Sequence, residues 1–147
     1  MASPRWILMA MSLALLGATG CSRFERDWRA AGKEPAPAGE IRGRWQGTWH
    51  SEPTGHTGKL RCLLTPISKE KYEARFHAKY KRVLSFRYTA EFTGSKSNEV
   101  FYFSGNADLG KLAGGVYHYE GHVAPTNFFS IYRAKYDRGT FQMQRPK

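Results

Sequence analysis

From Ile41 onward, apolar and polar side chains alternate with a period of two residues. In Tyr72–Tyr80 every second residue is apolar and the residues between are charged or polar, and Leu84–Phe92 repeats the pattern. Successive side chains of a strand point to opposite faces, so each stretch predicts a strand with one apolar and one wet face. The short interval at Lys81-Arg82 predicts that the two strands form an antiparallel hairpin.

Six further strands are predicted, and turn-forming residues separate them. The strands are Arg44–Ser51, Lys59–Thr65, Glu99–Ser104, Gly115–Val123, Asn127–Ala134 and Thr140–Arg145. The turns are Pro53–Gly55, Gly94–Asn98, Ala113–Gly115, Pro125–Asn127 and Asp137–Gly139. About eight strands without covering helices must bury one face against each other, in a barrel or a sandwich. Consecutive hairpins favour an all-β, antiparallel up-and-down barrel over a sandwich. Several strands are too short to cross a bilayer, which disfavours a membrane-spanning barrel.

The predicted inward face is rich in aromatic rings. Its members are Trp49, Tyr72, Phe76, Tyr80, Phe86, Tyr88, Phe92, Phe101, Phe103, Tyr117, Tyr119 and Phe141. An eight-stranded barrel is just wide enough for side chains or one small ligand, so these rings either fill it or line a pocket. A pocket would use the space beside Ala74, Ala78, Ala90 and Gly121, with Trp49, Phe76, Tyr80, Tyr88, Tyr117 and Tyr119 as lining residues. Both alternatives remain open from the sequence.

The first twenty-one residues carry an export pattern. Arg5 precedes the apolar run Trp6–Leu16, and the small residues Gly17–Gly20 lead to Cys21. This order predicts a secretory signal. The cysteine at its exit resembles the lipobox of bacterial lipoproteins, which implies acylation of Cys21 and removal of residues 1–20. The resemblance also implies a lipid-anchored protein of the bacterial cell envelope, with the outer membrane favoured because Ser22 stands where Asp would signal inner-membrane retention.

Residues 21–40 are interpreted as the lipidated cysteine and a tether, ahead of a barrel domain at 41–147. Ser22 and Glu25 have the spacing of a capping box, and Phe24 and Trp28 would share one face of a short helix. A disordered tether is an equal alternative. Lys33–Glu40 is rich in Pro and Ala and predicts an extended spacer.

The positive charge belongs to the predicted barrel. Of the formal net charge of +11, one unit is Arg5 and residues 22–40 are neutral, so residues 41–147 carry +10. A basic domain in the envelope predicts anionic lipids or glycans as partners, with Arg75, Lys79 and Arg87 on the polar strand faces as candidate contacts. Nucleic acid is disfavoured, because base stacking needs exposed rings and here the rings alternate away from the charges. Cys62, in an apolar run, is expected to be a small buried residue.

One histidine pattern suggests metal chemistry. His118, Glu120 and His122 share a strand face at two-residue steps and offer three N or O ligands to a divalent metal. The alternative is a solvated outer face. No other pattern makes a complete catalytic constellation, and none calls for a cofactor.

The opening of the domain, Gly43-Arg44-Trp45-Gln46-Gly47-Thr48-Trp49, resembles the first strand of calycin (lipocalin and avidin-like) barrels. The resemblance implies that Trp45 closes one barrel end beneath an Arg of the last strand, here Arg145. Both tryptophans are then expected to be buried. A wider resemblance, to small uncharacterised envelope lipoproteins of planctomycete type, rests on residues 43–51, 55–62, 72–80, 112–121 and 136–143. It implies export and one β domain, and no activity.

The sequence therefore predicts a membrane-anchored envelope lipoprotein that acts as a binding or structural interaction module. A carrier of a small apolar ligand is the alternative, and a metal-dependent enzyme is third.

Acylation at Cys21 is directly testable. Replacing Cys21 with Ser should abolish fatty-acid labelling and release the protein from the membrane fraction, because the thiol is the acylated group. Labelling that persists in Cys21→Ser would refute the anchor.

Overall fold

A computed structural model describes residues 23–147, which divide after Pro35 into two units. In the first, residues 23–33 are helical, and the rings of Phe24 and Trp28 stack with centroids 5.8 Å apart. Of the two alternatives for the tether, the helix is confirmed. Ser22, Cys21 and the signal lie outside the described residues. Among residues 23–147, no helix is both long and apolar enough to span a membrane.

The second unit, residues 36–147, is a closed barrel of eight antiparallel strands. They are β1 (Gly43–Ser51), β2 (Thr57–Pro66), β3 (Lys71–Tyr80), β4 (Leu84–Ser97), β5 (Val100–Asp108), β6 (Val116–Val123), β7 (Asn127–Arg133) and β8 (Arg138–Gln144). Each strand pairs with the next, and β8 returns to β1, with Phe141 opposite Trp49. The predicted all-β, eight-stranded, up-and-down barrel is confirmed.

One predicted break is wrong. Residues 94–97 belong to β4, and the turn to β5 is only Asn98-Glu99, with φ of 48° and 66°. Two left-handed residues match the twist of the flanking strands in a two-residue hairpin. Gly94 marks a close strand approach instead of a turn: a Cβ there would lie 1.8 Å from the carbonyl oxygen of Tyr102.

The connections of an up-and-down barrel alternate between its two ends. Those after β1, β3, β5 and β7 surround what we call the open end, and the others and the residues before β1 surround the closed end. The connection after β5 is the longest and contains a single 3₁₀ turn, Lys111–Ala113, bounded by Gly110 and Gly114.

Trp45 and Arg145 form the closed end. The indole of Trp45 is fully buried and donates a hydrogen bond to the carbonyl of Ile41 at 2.9 Å. The guanidinium carbon of Arg145 lies 4.1 Å from the Trp45 ring centroid, and its nitrogens donate to the carbonyls of Glu40 (2.7 Å) and Arg42 (2.8 Å). A cation over an indole is attracted by the ring quadrupole. The role expected of Arg145 from the calycin resemblance is present.

Packed apolar side chains fill the barrel from this end. The core comprises Ile41, Trp45, Leu60, Cys62, Leu64, Ala74, Phe76, Ala90, Phe92, Phe101, Phe103, Ala107, Tyr119, Val123, Phe128, Tyr132, Phe141 and Met143. Cys62 is buried as predicted, and burial raises the pKa of its thiol, which keeps it in the unreactive protonated form.

Removing the Arg145 cap should destabilise the barrel. Arg145→Ala loses the cation–π contact and its carbonyl hydrogen bonds, so the free energy of unfolding should fall by about 3 kcal/mol. The exposed Arg133, at the open end of β7, provides the control. Arg133→Ala should change the free energy of unfolding by less than about 0.5 kcal/mol. Denaturant unfolding followed by tryptophan fluorescence measures both. Equal effects would contradict a capping role.

Candidate functional site

Close packing of the core gives way to a cavity at the level of Phe76, and the core residues Tyr119, Tyr132 and Phe141 also line that cavity. The ring centroid of Phe76 lies 6.0 Å from that of Phe92, on the closed-end side, and 5.1 Å and 5.5 Å from those of Tyr88 and Phe141, which face the open end. Above this level the side chains no longer fill the barrel, and a cavity of about 510 Å³ opens between the connections of the open end. That volume lies within the usual range of small-molecule sites.

The cavity wall is mainly aromatic and apolar, and the connections after β1, β5 and β7 contribute to it. Its lining residues are Trp49, His56, Ala78, Tyr80, Phe86, Tyr88, Leu109, Leu112, Ala113, Gly114, Tyr117, Tyr119, Tyr132, Tyr136, Asp137 and Phe141. Trp49 is held by a hydrogen bond of 3.0 Å from its indole nitrogen to the Lys79 carbonyl. It lines the cavity wall and is only partly buried, in contrast to Trp45.

Five of the six ligand-lining residues proposed from the sequence lie in this wall. The exception is Phe76, which lies beneath the cavity in the core. The two readings of the interior each describe one half of the barrel, because the rings fill the closed end and leave the open end hollow. Ala78 lines the hollow part, whereas Ala74 and Ala90 belong to the packed core.

Sequence reasoning missed several members of the wall. Tyr132 has the inward parity of Phe128 and Ser130 in β7, so alternation alone would have indicated it. His56, Tyr136 and the glycine-bounded turn 111–113 lie in connections, where no periodic signal exists.

Asp137 anchors the polar part of the wall. Ser51 Oγ donates to Asp137 Oδ1 at 2.7 Å, and Tyr132 Oη donates to Oδ2 at 3.2 Å. Burial, and then the Asp137 carboxylate, raise the pKa of Tyr132 and that of Tyr117. Both phenols are therefore neutral hydrogen-bond donors at physiological pH.

Tyr119 carries the most unusual polar group among the residues of the cavity wall. Its hydroxyl is buried and has no hydrogen-bond partner. The ring of Tyr88 stacks with that of Tyr119 with centroids 6.4 Å apart. Burial raises the pKa of both phenols, and the neighbouring phenol changes each pKa less than burial does; the phenol of Tyr88 lowers the pKa of Tyr119. A buried hydroxyl without a partner is costly and calls for an explanation.

The proposed metal trio lies on the outer face of β6. His118 hydrogen-bonds Asn106 through Nδ1, whereas the His122 ring packs beside Phe129 at 5.8 Å. In the described part of the chain, no three side chains of His, Cys, Asp or Glu form a group that could hold a metal ion. The arrangement is that of a partly solvated outer face.

The proposed anion contacts also lie outside the barrel. Arg75 and Lys79 are on the outer face of β3, and Arg87 is on that of β4. The Arg75 guanidinium is partly buried and lies 3.6 Å from the Glu73 carboxylate, so it is already engaged within the protein. Lys79 and Arg87 are exposed.

A solved structure shares the fold of this chain, whereas no match identifies its family. No protein-family model matches the chain, and no curated protein is similar to it. Among solved structures, a redesigned β-barrel, mFAP1, bound to DFHBI, is similar, with a TM-score of 0.55 and 17% identity. The match covers 75% of this chain and 100% of that one. At this identity the likeness shows the β-barrel fold alone.

The cavity tyrosines predict different responses to loss of a hydroxyl. Tyr119→Phe should leave the free energy of unfolding unchanged or higher, because the hydroxyl it removes has no partner. Tyr132→Phe should lower it by about 1–2 kcal/mol, because the bond to Asp137 is lost. Urea titrations at neutral pH measure both, and a large loss in Tyr119→Phe would mean that its hydroxyl is satisfied.

The pH dependence follows from the raised pKa values. Below about pH 10 the phenols are protonated in both states. As the pH rises above that value, the unfolded chain loses protons that the folded barrel retains, so stability falls. Tyr119→Phe should reduce the slope of this fall, measured by thermal unfolding between pH 9 and pH 11. An unchanged slope would contradict the raised pKa of Tyr119.

Proposed function

We propose that this protein is an envelope-anchored lipoprotein whose barrel binds one small guest in the cavity at its open end. The observation that carries the proposal is the coexistence of a 510 Å³ aromatic-walled cavity and a partnerless hydroxyl deep in its wall. A module with a purely structural role would gain from a filled interior, because cavities and unpaired buried groups both reduce stability.

The wall specifies the chemistry of the guest. Rings and aliphatic side chains dominate it, so the body of the guest is apolar or aromatic. At the inner end, the Tyr119 hydroxyl requires a hydrogen-bonding atom on the guest. Near the mouth, Tyr117 remains a neutral donor and the Asp137 carboxylate is an acceptor, so a polar group is also tolerated there.

Two further points support the proposal. The redesigned barrel mFAP1, which shares the fold, was solved bound to DFHBI. The lipobox-like exit at Cys21 supports an anchored protein of the bacterial envelope, in keeping with the resemblance to planctomycete-type lipoproteins. An apolar guest and a membrane anchor are compatible, because membranes are the main store of apolar small molecules in a cell.

Native mass spectrometry of the protein purified from a bacterial host tests the proposal. A guest should appear as a mass increment of one small molecule, lost on gentle activation. Refolded, guest-free protein should bind 1-anilinonaphthalene-8-sulfonate, an anionic fluorescent probe of apolar sites, with a stoichiometry of one.

Two variants place the guest in the cavity. Ala78→Phe adds a ring to the wall and should abolish binding of the probe, which circular dichroism can separate from unfolding. Tyr119→Phe removes the inner hydroxyl and should weaken binding of the natural guest about tenfold, the value of one buried hydrogen bond. Tyr72→Phe is the matched control, because Tyr72 contacts Phe101 near the closed end and should leave binding unchanged. Probe binding that survives Ala78→Phe would refute the site.

A further inference from the structure

The rim of the open end carries exposed apolar side chains. Val83 is 88% exposed in the connection after β3, Leu112 is fully exposed in the connection after β5, and Tyr136 is 73% exposed in the connection after β7. Leu84 and Phe86, at the start of β4, extend the same surface. Three different connections thus present a large apolar residue at one end of the barrel. Clustered exposure of this kind marks an interaction surface, whereas scattered exposed residues do not.

We call the exposed apolar side chains in the connections of the rim its apolar tips. Basic residues precede each of them in the sequence. Lys81 and Arg82 precede Val83, Lys111 precedes Leu112, and Lys135 precedes Tyr136. The acidic residues at this end accept hydrogen bonds within the protein: Glu52 from Arg138 at 2.9 Å, Asp137 from Ser51 and Tyr132, and Asp108 from the Gly110 amide at 2.9 Å. The open end therefore presents apolar tips that are flanked by basic residues.

The closed end has a different composition. Its connections carry one exposed large apolar residue, Ile67, together with Lys69, Glu70 and Glu99. The segments before β1 and after β8 add Glu40, Arg42, Arg145 and Lys147 to this end. Solubility alone would not distinguish the two ends of the barrel. The clear difference is in exposed apolar side chains, and it favours the open end.

We propose that the rim of the open end docks onto an anionic lipid bilayer. Apolar tips enter the boundary between headgroups and acyl chains, while flanking lysines and arginines contact anionic headgroups. Two tyrosines fit this depth, since Tyr80 and Tyr136 lie beneath Lys81 and Lys135 at 5.4 Å and 5.0 Å, an aromatic–cation pairing suited to an interface. The surface does not depend on Cys21 acylation, and it is distinct from the partly buried flank at Arg75.

Docking in this orientation has a consequence for access to the cavity. Leu112 and Tyr136 belong both to the rim and to the cavity wall. A bilayer that covers the rim therefore faces the cavity mouth, and an apolar guest can pass between membrane and barrel without crossing water. The docking surface and the guest site are separate claims, because either can exist without the other.

Hydrogen–deuterium exchange tests the orientation on the full-length protein as processed by a bacterial host. With vesicles of phosphatidylcholine and phosphatidylglycerol, amides of residues 81–84 and 110–116 should exchange at least about fivefold more slowly than without vesicles. Residues 67–70 and 124–126, at the closed end, are the internal reference and should not change. Vesicles of phosphatidylcholine alone should give a smaller effect.

Paired variants separate the two contributions. Arg82→Glu with Lys135→Glu should remove the protection, whereas Lys69→Glu with Lys147→Glu makes the same charge change at the closed end and should retain it. Val83→Ser with Leu112→Ser should also remove it, with Ile67→Ser as the control. These residues are exposed, so the variants are expected to fold.

Three results would overturn the proposal. The first is no protection at the open end in anionic vesicles, and the second is protection that the rim variants leave intact. The third is protection that appears without vesicles and grows with protein concentration, which would make the rim a contact between copies of the chain. Failure of any kind would leave the guest-binding measurements unaffected.

Discussion

The barrel depends on the contact between Arg145 and Trp45. One residue follows the last strand and the other belongs to the first, so the contact secures the pairing of β1 with β8 that closes the sheet. The guanidinium also satisfies backbone carbonyls before β1 that would otherwise be left at the end of the barrel. A closed sheet has no unpaired edge, and this one is closed by a side-chain interaction as well as by its ladder.

Closure at one end leaves the other end free for a different task. Aromatic rings are packed from Trp45 up to Phe76 in the buried core. The open half has the cavity, the partnerless hydroxyl of Tyr119 and the exposed apolar rim, each of which costs stability. Such features persist where a rigid framework supports them, and they concentrate at functional sites.

The sequence predicted the strands well and the cavity only in part. Alternation is a local signal, so β3 and β4 were found from a few residues each, and Gly-x-Trp with Arg145 indicated how the barrel closes. The break placed at Gly94 was wrong because glycine marks both turns and close strand approaches. Which half of the barrel is hollow depends on side-chain volumes summed over eight strands. The rim depends on which connections meet at one end. Neither the hollow half nor the rim is determined by neighbouring residues in the sequence. Neither could therefore be predicted from the residues around Tyr136 or Leu112.

The pairing of β1 with β8 also bears on how the chain is made. Trp45 and Arg145 are separated by nearly the whole domain, and the ladder between β1 and β8 joins its two ends. Such long-range contacts form slowly, because the entropy of closing a long loop is lost before the contacts contribute any free energy. A barrel of this design cannot close on the ribosome while its last strand is still being synthesised. The chain therefore remains open until synthesis is complete, which is the state in which an unfolded polypeptide can be threaded through a membrane.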